Sequence, residues 1–247
     1  MKYNKGNDKK IKPVKKTIVL LVFLIVLLIA VNYNSLDRNL KNFLNTNQEV
    51  LVERIIDGDT IESNGTSIRL LGINTPERRE FYYGEAKQFL EDRILNKTVT
   101  LRFGRERYDK YDRVLAYAFL DNKNINLELI ENGFANYYFP SGKDAYYEDF
   151  VHAWNECIQK NVNLCEKSED VCAECINVKN FNVITNTCSF SCNINGWKIK
   201  AEGRNYTAFS NTLKSLEETS FELPLTSTGD TIFLRDNNGK LVFWEKY

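Results

Sequence analysis

The 247-residue chain carries 33 Lys plus Arg against 33 Asp plus Glu, so no overall charge excess draws it to polyanions, and a nucleic-acid partner must be argued from a local site. Its length suits one or two compact domains behind a leader. The six cysteines, Cys157, Cys165, Cys172, Cys175, Cys188 and Cys192, fall in one stretch, which fits either disulfides of an oxidising compartment or thiolate ligands of a structural zinc.

Lysines crowd residues 1–16 and are followed by the apolar run Ile18 to Val31. At about 1.5 Å per residue that run covers ~21 Å, short of a ~30 Å hydrocarbon core, although Thr17 and the residues to Tyr33 lengthen it. A cleaved signal peptide and an uncleaved anchor are both compatible with it. The bulky residues around Ala30 make a poor cleavage site and favour an anchor through residues 17–33. The expected location is therefore the cell membrane, single-pass with the C-terminal part outside, or secreted if the leader is removed; an outside location favours disulfides over zinc.

Residues 35–48 are polar and Asn-rich, as a linker would be. Val50 to Ile56, Thr60 to Glu62 and Ser67 to Ile73 read as strands, with a hairpin turn at Asn64-Gly65. Gly84 to Leu95 is an amphipathic helix with Ala86, Phe89, Leu90 and Ile94 at helical spacing. Thr98 to Phe103 and Val114 to Leu120 make a further strand pair, Ile125 to Glu131 a short helix capped by Gly133, and Asp144 to Gln159 a last helix. Short strands with inserted helices suit a small closed barrel. Beyond Cys175 the texture is rich in strands and turns, with runs at 196–199, 229–234 and 241–243.

The chemistry concentrates in Asp57-Gly58-Asp59-Thr60 and in Arg69-Leu70-Leu71-Gly72-Ile73-Asn74-Thr75-Pro76-Glu77. Oxygen ligands without histidine suit a hard cation such as calcium, and the chain's one histidine, His152, lies on an expected helix far along the sequence. Phosphodiester hydrolysis needs a base to orient water, positive charge for the equatorial oxygens and a metal to polarise the phosphoryl group. Glu77, the arginines Arg69 and Arg113, and a cation on Asp59 supply them. Arginine's planar fork can grip two phosphate oxygens at once.

These motifs, together with Asp109-Lys110-Tyr111-Asp112-Arg113-Val114-Leu115-Ala116, resemble the staphylococcal nuclease (thermonuclease) family over roughly residues 49–165. The resemblance implies a mainly β fold with helices, an OB-fold nuclease barrel, and calcium-dependent hydrolysis of DNA and/or RNA. By motif position it implies one Ca2+ held by Asp59, Asn74 and the Thr75 carbonyl, Glu77 as the residue acting on water, and Arg69 with Arg113 on the phosphate. Tyr137 and Tyr138 fall where the family places aromatics near the nucleotide base, and Lys110 is either a phosphate contact or a plain turn lysine. Aspartate is usual where Asn74 stands, so the site loses a negative charge; glycine is usual where Asp112 stands, and Asp112 either pairs with Arg113 or faces solvent. The competing expectation is an inactive OB module that binds nucleic acid or a surface protein without cutting.

Cys188 to Tyr247 resembles a lamin-tail domain, which implies a small immunoglobulin-like β sandwich with an unknown ligand. The expected boundaries are a basic leader with its N-terminal hydrophobic helix at 1–34, a linker at 35–48, the nuclease-like domain at 49–165, a cysteine-containing linker at 166–187 and the lamin-tail-like domain at 188–247.

Overall fold

The computed structural model describes residues 17–28, 47–203, 205–225 and 231–246. Residues 17–28 are helical, and at about 1.5 Å per residue they cover ~18 Å of the ~30 Å a membrane span requires. Among the described residues no helix is long and apolar enough to cross a membrane, which overturns the expected single-pass anchor. Residues 29–33, on which that span also relied, lie outside the described residues, as do residues 35–46 of the linker and the Gly229-Asp230 turn.

From Asn47 onward the chain is one compact unit. It begins with β1 (Asn47–Leu51), β2 (Arg54–Asp57), β3 (Thr60–Ser63), β4 (Thr66–Leu70) and β5 (Ile73–Asn74). The β3–β4 turn is made by Asn64 and Gly65, both at positive φ, the conformation that a two-residue hairpin demands and that these residues tolerate. Helix α1 (Tyr83–Ile94) follows, then β6 (Thr98–Tyr108), β7 (Val114–Leu120), β8 (Lys123–Asn124), α2 (Ile125–Glu131), β9 (Asn136–Tyr137) and α3 (Tyr147–Lys160).

The main sheet runs β1-β6-β7-β4-β3-β2, with β8 on β7. Strands β1 and β2 stand at its two edges and do not pair with each other, so the sheet is not the closed barrel expected. One link is parallel, β4 against β7, with Arg69 opposite Leu115. Alternation buries Ile68 and Leu70 and turns Arg69 to the other face. Helix α3 covers the core with Phe150 and Trp154.

The strands after residue 170 are β10 (Ile176–Lys179), β11 (Val183–Asn186), β12 (Cys192–Asn193), β13 (Lys198–Ala201), β14 (Thr207–Ala208), β15 (Thr212–Leu213), β16 (Glu218–Ser220), β17 (Thr231–Arg235) and β18 (Leu241–Lys246). They divide among a three-stranded, a two-stranded and a four-stranded sheet, β10-β11-β16, β12-β15 and β14-β13-β17-β18, instead of the two sheets of an immunoglobulin-like sandwich. The cysteines form disulfides, Cys157–Cys165, Cys172–Cys192 and Cys175–Cys188, which settles the zinc alternative.

Strand β17 is buried on both faces. Ile232 and Leu234 enter the C-terminal core around Trp197 and Ile199, while Phe233 between them enters the core of the first region and lies edge-on to Trp154. The same period of two places Ile199 and Ala201 of β13 in the C-terminal core and turns Lys198, Lys200 and the following Glu202 towards the first region. Arg235 reaches across as well, donating to the Leu164 carbonyl at 2.7 Å.

Candidate active site

Asp59 sits in the turn between β2 and β3 and is 7% exposed. Its carboxylate accepts from the Thr60 hydroxyl at 3.0 Å and from the Thr75 N–H at 3.2 Å. The turn needs Gly58: a Cβ there would lie 2.7 Å from the Thr75 hydroxyl and 2.9 Å from Ala86, inside van der Waals contact. Close approach to Thr75 and α1 is thus what the Asp-Gly-Asp spelling provides.

Asp57 stands behind Asp59, accepting its N–H at 3.3 Å. Burial, and then repulsion from Asp59, push the Asp57 carboxyl up to about 6. Two carboxylates held this close, one of them paired with an arginine, are an arrangement that a cation can join.

Arg69 supplies the positive charge that is present. Its Nη2 lies 2.9 Å from Asp59 Oδ2 and donates to the Ile73 carbonyl at 2.9 Å and to Asn74 Oδ1 at 3.2 Å; Nη1 donates to the Leu70 carbonyl at 2.7 Å. One guanidinium therefore gathers Asp59, Asn74 and the backbone leading to Thr75. Asn74 itself, 7% exposed, is fixed by β5 pairing with β9, opposite Asn136.

Arg113 immediately precedes β7, two residues before the register partner of Arg69. Residues two apart on a strand share a face, and a continuation of β7 by one residue would set Arg113 on the face of Arg69, with Cα atoms about 8 Å apart. Asp109 holds Arg113: its Oδ2 accepts from Nε at 2.7 Å and its Oδ1 from the backbone N–H at 3.0 Å. Asp112 takes no part in that pairing. It adopts φ +60, the conformation for which glycine is suited and which aspartate tolerates.

Glu77 lies exposed on the loop after β5, its backbone N–H donating to Glu80 at 2.8 Å. Glu80 is in turn paired with Lys200 of β13 at 2.8 Å, so the loop carrying Glu77 is tied to the C-terminal sheet. The aromatics divide. Tyr137 is 5% exposed and packs against Tyr147 and Trp154, which makes it core and leaves no ring face for a base. Tyr138 packs against Gly203, where a Cβ would lie 2.7 Å from its hydroxyl. Near Arg113 the exposed rings include Tyr108 and Tyr111, the latter 67% exposed with Arg113 over it at 5.6 Å and Lys110 at 4.9 Å.

The donor set of Asp59, Asn74 Oδ1 and the Thr75 carbonyl, with Asp57 behind, is oxygen only and carries more acid than its single arginine neutralises. It fits a hard divalent cation and no soft one. Two groups escaped notice in the sequence. Asp57 lay inside the quoted motif without a role, and Glu202, more than a hundred residues away, carries no local signal; it accepts from Asn74 Nδ2 at 2.5 Å.

A cavity of about 70 Å³ lies between this cluster and the C-terminal sheet, lined by Asn74, Thr75, Asn136, Lys200, Glu202 and Arg235.

Residues 67–167 match the model of the staphylococcal nuclease homologue family. That segment contains Arg69, Asn74, Thr75, Glu77 and Arg113 but reaches neither Asp59 nor the region after residue 167. The chain is 33% identical to a thermonuclease of Staphylococcus intermedius over 130 residues, 49% of this chain and 77% of the relative. It is 30% identical to a thermonuclease of Staphylococcus hyicus over 131 residues, 48% of this chain and 78% of the relative. An uncharacterized endonuclease of Haemophilus influenzae is 33% identical over 101 residues, 39% of this chain and 56% of the relative.

Proposed function

Because the chain belongs to the staphylococcal nuclease homologues and is a nuclease, we propose that it hydrolyses phosphodiester bonds of DNA and/or RNA with one calcium ion at the Asp59–Asn74–Thr75 cleft. The observation that carries this proposal is the oxygen-only cluster of Asp59, Asn74 and Thr75 gathered around the Arg69 guanidinium, with half-buried Asp57 behind it. Asp59, Asn74 Oδ1 and the Thr75 carbonyl would hold the ion, which when bound supplies charge to polarise a phosphoryl oxygen.

The chain's own residues do the rest. Glu77, in solvent on its tethered loop, orients a water and takes its proton as the oxygen attacks phosphorus and the opposite P–O bond breaks. Arg69 and Arg113, set on one face of the sheet by that continuation of β7, can share the equatorial oxygens of one phosphate. Tyr111 and Lys110 beside Arg113 offer a stacking face and a cation to a single-stranded substrate. The division proposed is a nuclease-like domain at 49–165 and a C-terminal β region at 188–247, joined through 166–187, that walls one side of the cleft.

The test is cleavage of single-stranded DNA by the chain with calcium, then with excess chelator. Cutting that the chelator stops, and that Arg69→Ala abolishes, is expected. Binding without cutting under any divalent ion would reduce the protein to a nucleic-acid-binding module.

A further inference from the structure

Glu202 follows β13 directly and is 2% exposed. Its backbone N–H is anchored to the Thr231 carbonyl at 2.9 Å, and Gly203 beside it is wedged against Tyr138. Its Oε1 accepts from Asn74 Nδ2 at 2.5 Å and its Oε2 from Asn136 Nδ2 at 2.9 Å. Asn74 and Asn136 are register partners across β5 and β9, so the carboxylate spans the end of that short ladder.

An ionised carboxylate only accepts hydrogen bonds, whereas a carboxamide donates from one side and accepts on the other. Glu202 therefore dictates which way Asn74 points. The NH2 must face Glu202 and the oxygen must face away from it, and on that far side Arg69 Nη2 does donate to Oδ1 at 3.2 Å. The orientation is required from both directions.

We propose that Glu202 is a positioning residue for the metal site, holding the Asn74 oxygen towards Asp59. The inference rests on the calcium-dependent nuclease proposed above, and it makes the C-terminal region part of the site. Groups behind a ligand that fix its orientation are commonly as necessary as the ligand.

It also changes what Asn74→Asp should do. Considered with the local motif alone, that substitution restores a ligand. Beside Glu202 it sets two carboxylates against each other with no hydrogen to share, which destabilises the metal-free protein. Combined with Glu202→Gln, the donor simply moves to the other partner: the amide at 202 donates to the carboxylate at 74.

The experiment is calorimetric titration of calcium chloride into the full chain, with melting of each metal-free protein alongside. Glu202→Gln should weaken calcium binding roughly 10-fold or more, Asn74→Asp should lower the metal-free melting temperature, and the double variant should regain both. Glu202→Gln binding calcium as tightly as wild type, or a double variant no better than Glu202→Gln, overturns the inference while leaving the nuclease intact. Absence of calcium binding and of metal-dependent cutting in the wild type overturns the proposed function and this inference with it.

Discussion

The two sides of the cleft are built differently. The acidic side, Asp57, Asp59, Arg69 and Asn74, is buried or half-buried, carried on strands and the tight turn between β2 and β3, and cross-linked by hydrogen bonds. The other side of the proposed site, the residues Glu77, Lys110, Tyr111 and Arg113, sits on exposed or half-exposed loops, each residue held by at most a local partner. The difference teaches a division of labour: the groups that would hold a cation are fixed before it arrives, while those that would meet a long, variable polymer stay reachable. Burial stiffens the first side, and the C-terminal sheet does much of the burying.

Removing that burial should have the largest effect. Trp154 is fully buried and touches Tyr137 on one side and Phe233 and Trp244 of the C-terminal sheet on the other. Trp154→Ala is expected to cost about 3–5 kcal/mol in urea unfolding and to loosen the Glu202 contact with it. If the two regions unfold with no common loss, the sheet is a passenger and not a wall. Glu77→Gln addresses the other side. It should lower kcat roughly 10²–10⁴-fold with the melting temperature unchanged, because an exposed loop carboxylate contributes little to stability. A stability loss comparable to that of Trp154→Ala would erase the distinction between the sides.

What could be read from the sequence follows the same division. Helix Ile125–Glu131 and strand Val114–Leu120 were expected with the observed boundaries, and the Asn64-Gly65 turn at its place, since each is specified by residues within a few positions. The proximity of residues within one motif was equally legible: Asp59, Arg69, Asn74 and Thr75 do meet. Tyr137 was misplaced among substrate contacts because an aromatic before a proline looks alike in a core and in a groove; only its pairing with Ile73 across β5 and β9 decides. The anchor expectation failed on the length of the described helix, and the closed barrel on strand pairing, which tertiary arrangement sets. Glu202 could not have been found, because its meaning depends on the alternation of β13 and on which face the other region covers.

A smaller effect separates the acidic side by pH. Below the ordinary aspartate range both the folded and unfolded chains carry the Asp57 proton. Between there and about 6 the folded chain keeps it and the unfolded chain does not, so this group's contribution declines as pH rises and levels off above about 6. Asp57→Asn removes that penalty. After allowance for the part of Asp57 that solvent reaches, its advantage over wild type should grow by about 1–2 kcal/mol across that window. A constant difference across pH, measured by urea unfolding without metal, would mean that Asp57 is solvated and the acidic side is less enclosed than its geometry implies.

The smallest effect tests the exposed side. Aspartate at position 112 invites the idea that it neutralises Arg113, yet Arg113 is paired with Asp109, and Asp112 only turns the chain at φ +60. Asp112→Gly exchanges a mild left-handed strain for greater freedom of the unfolded chain, two terms of similar size and opposite sign, so the net change should stay within about 0.5 kcal/mol. KM for single-stranded DNA should not move. Asp109→Ala, by contrast, releases both the guanidinium and the backbone N–H of Arg113, and should raise KM and make it more sensitive to salt, since a freed cation trades its fixed geometry for screened attraction. If Asp112→Gly shifts KM and Asp109→Ala does not, the partner of Arg113 in solution is Asp112, and the loop side of the cleft is arranged differently from the description above.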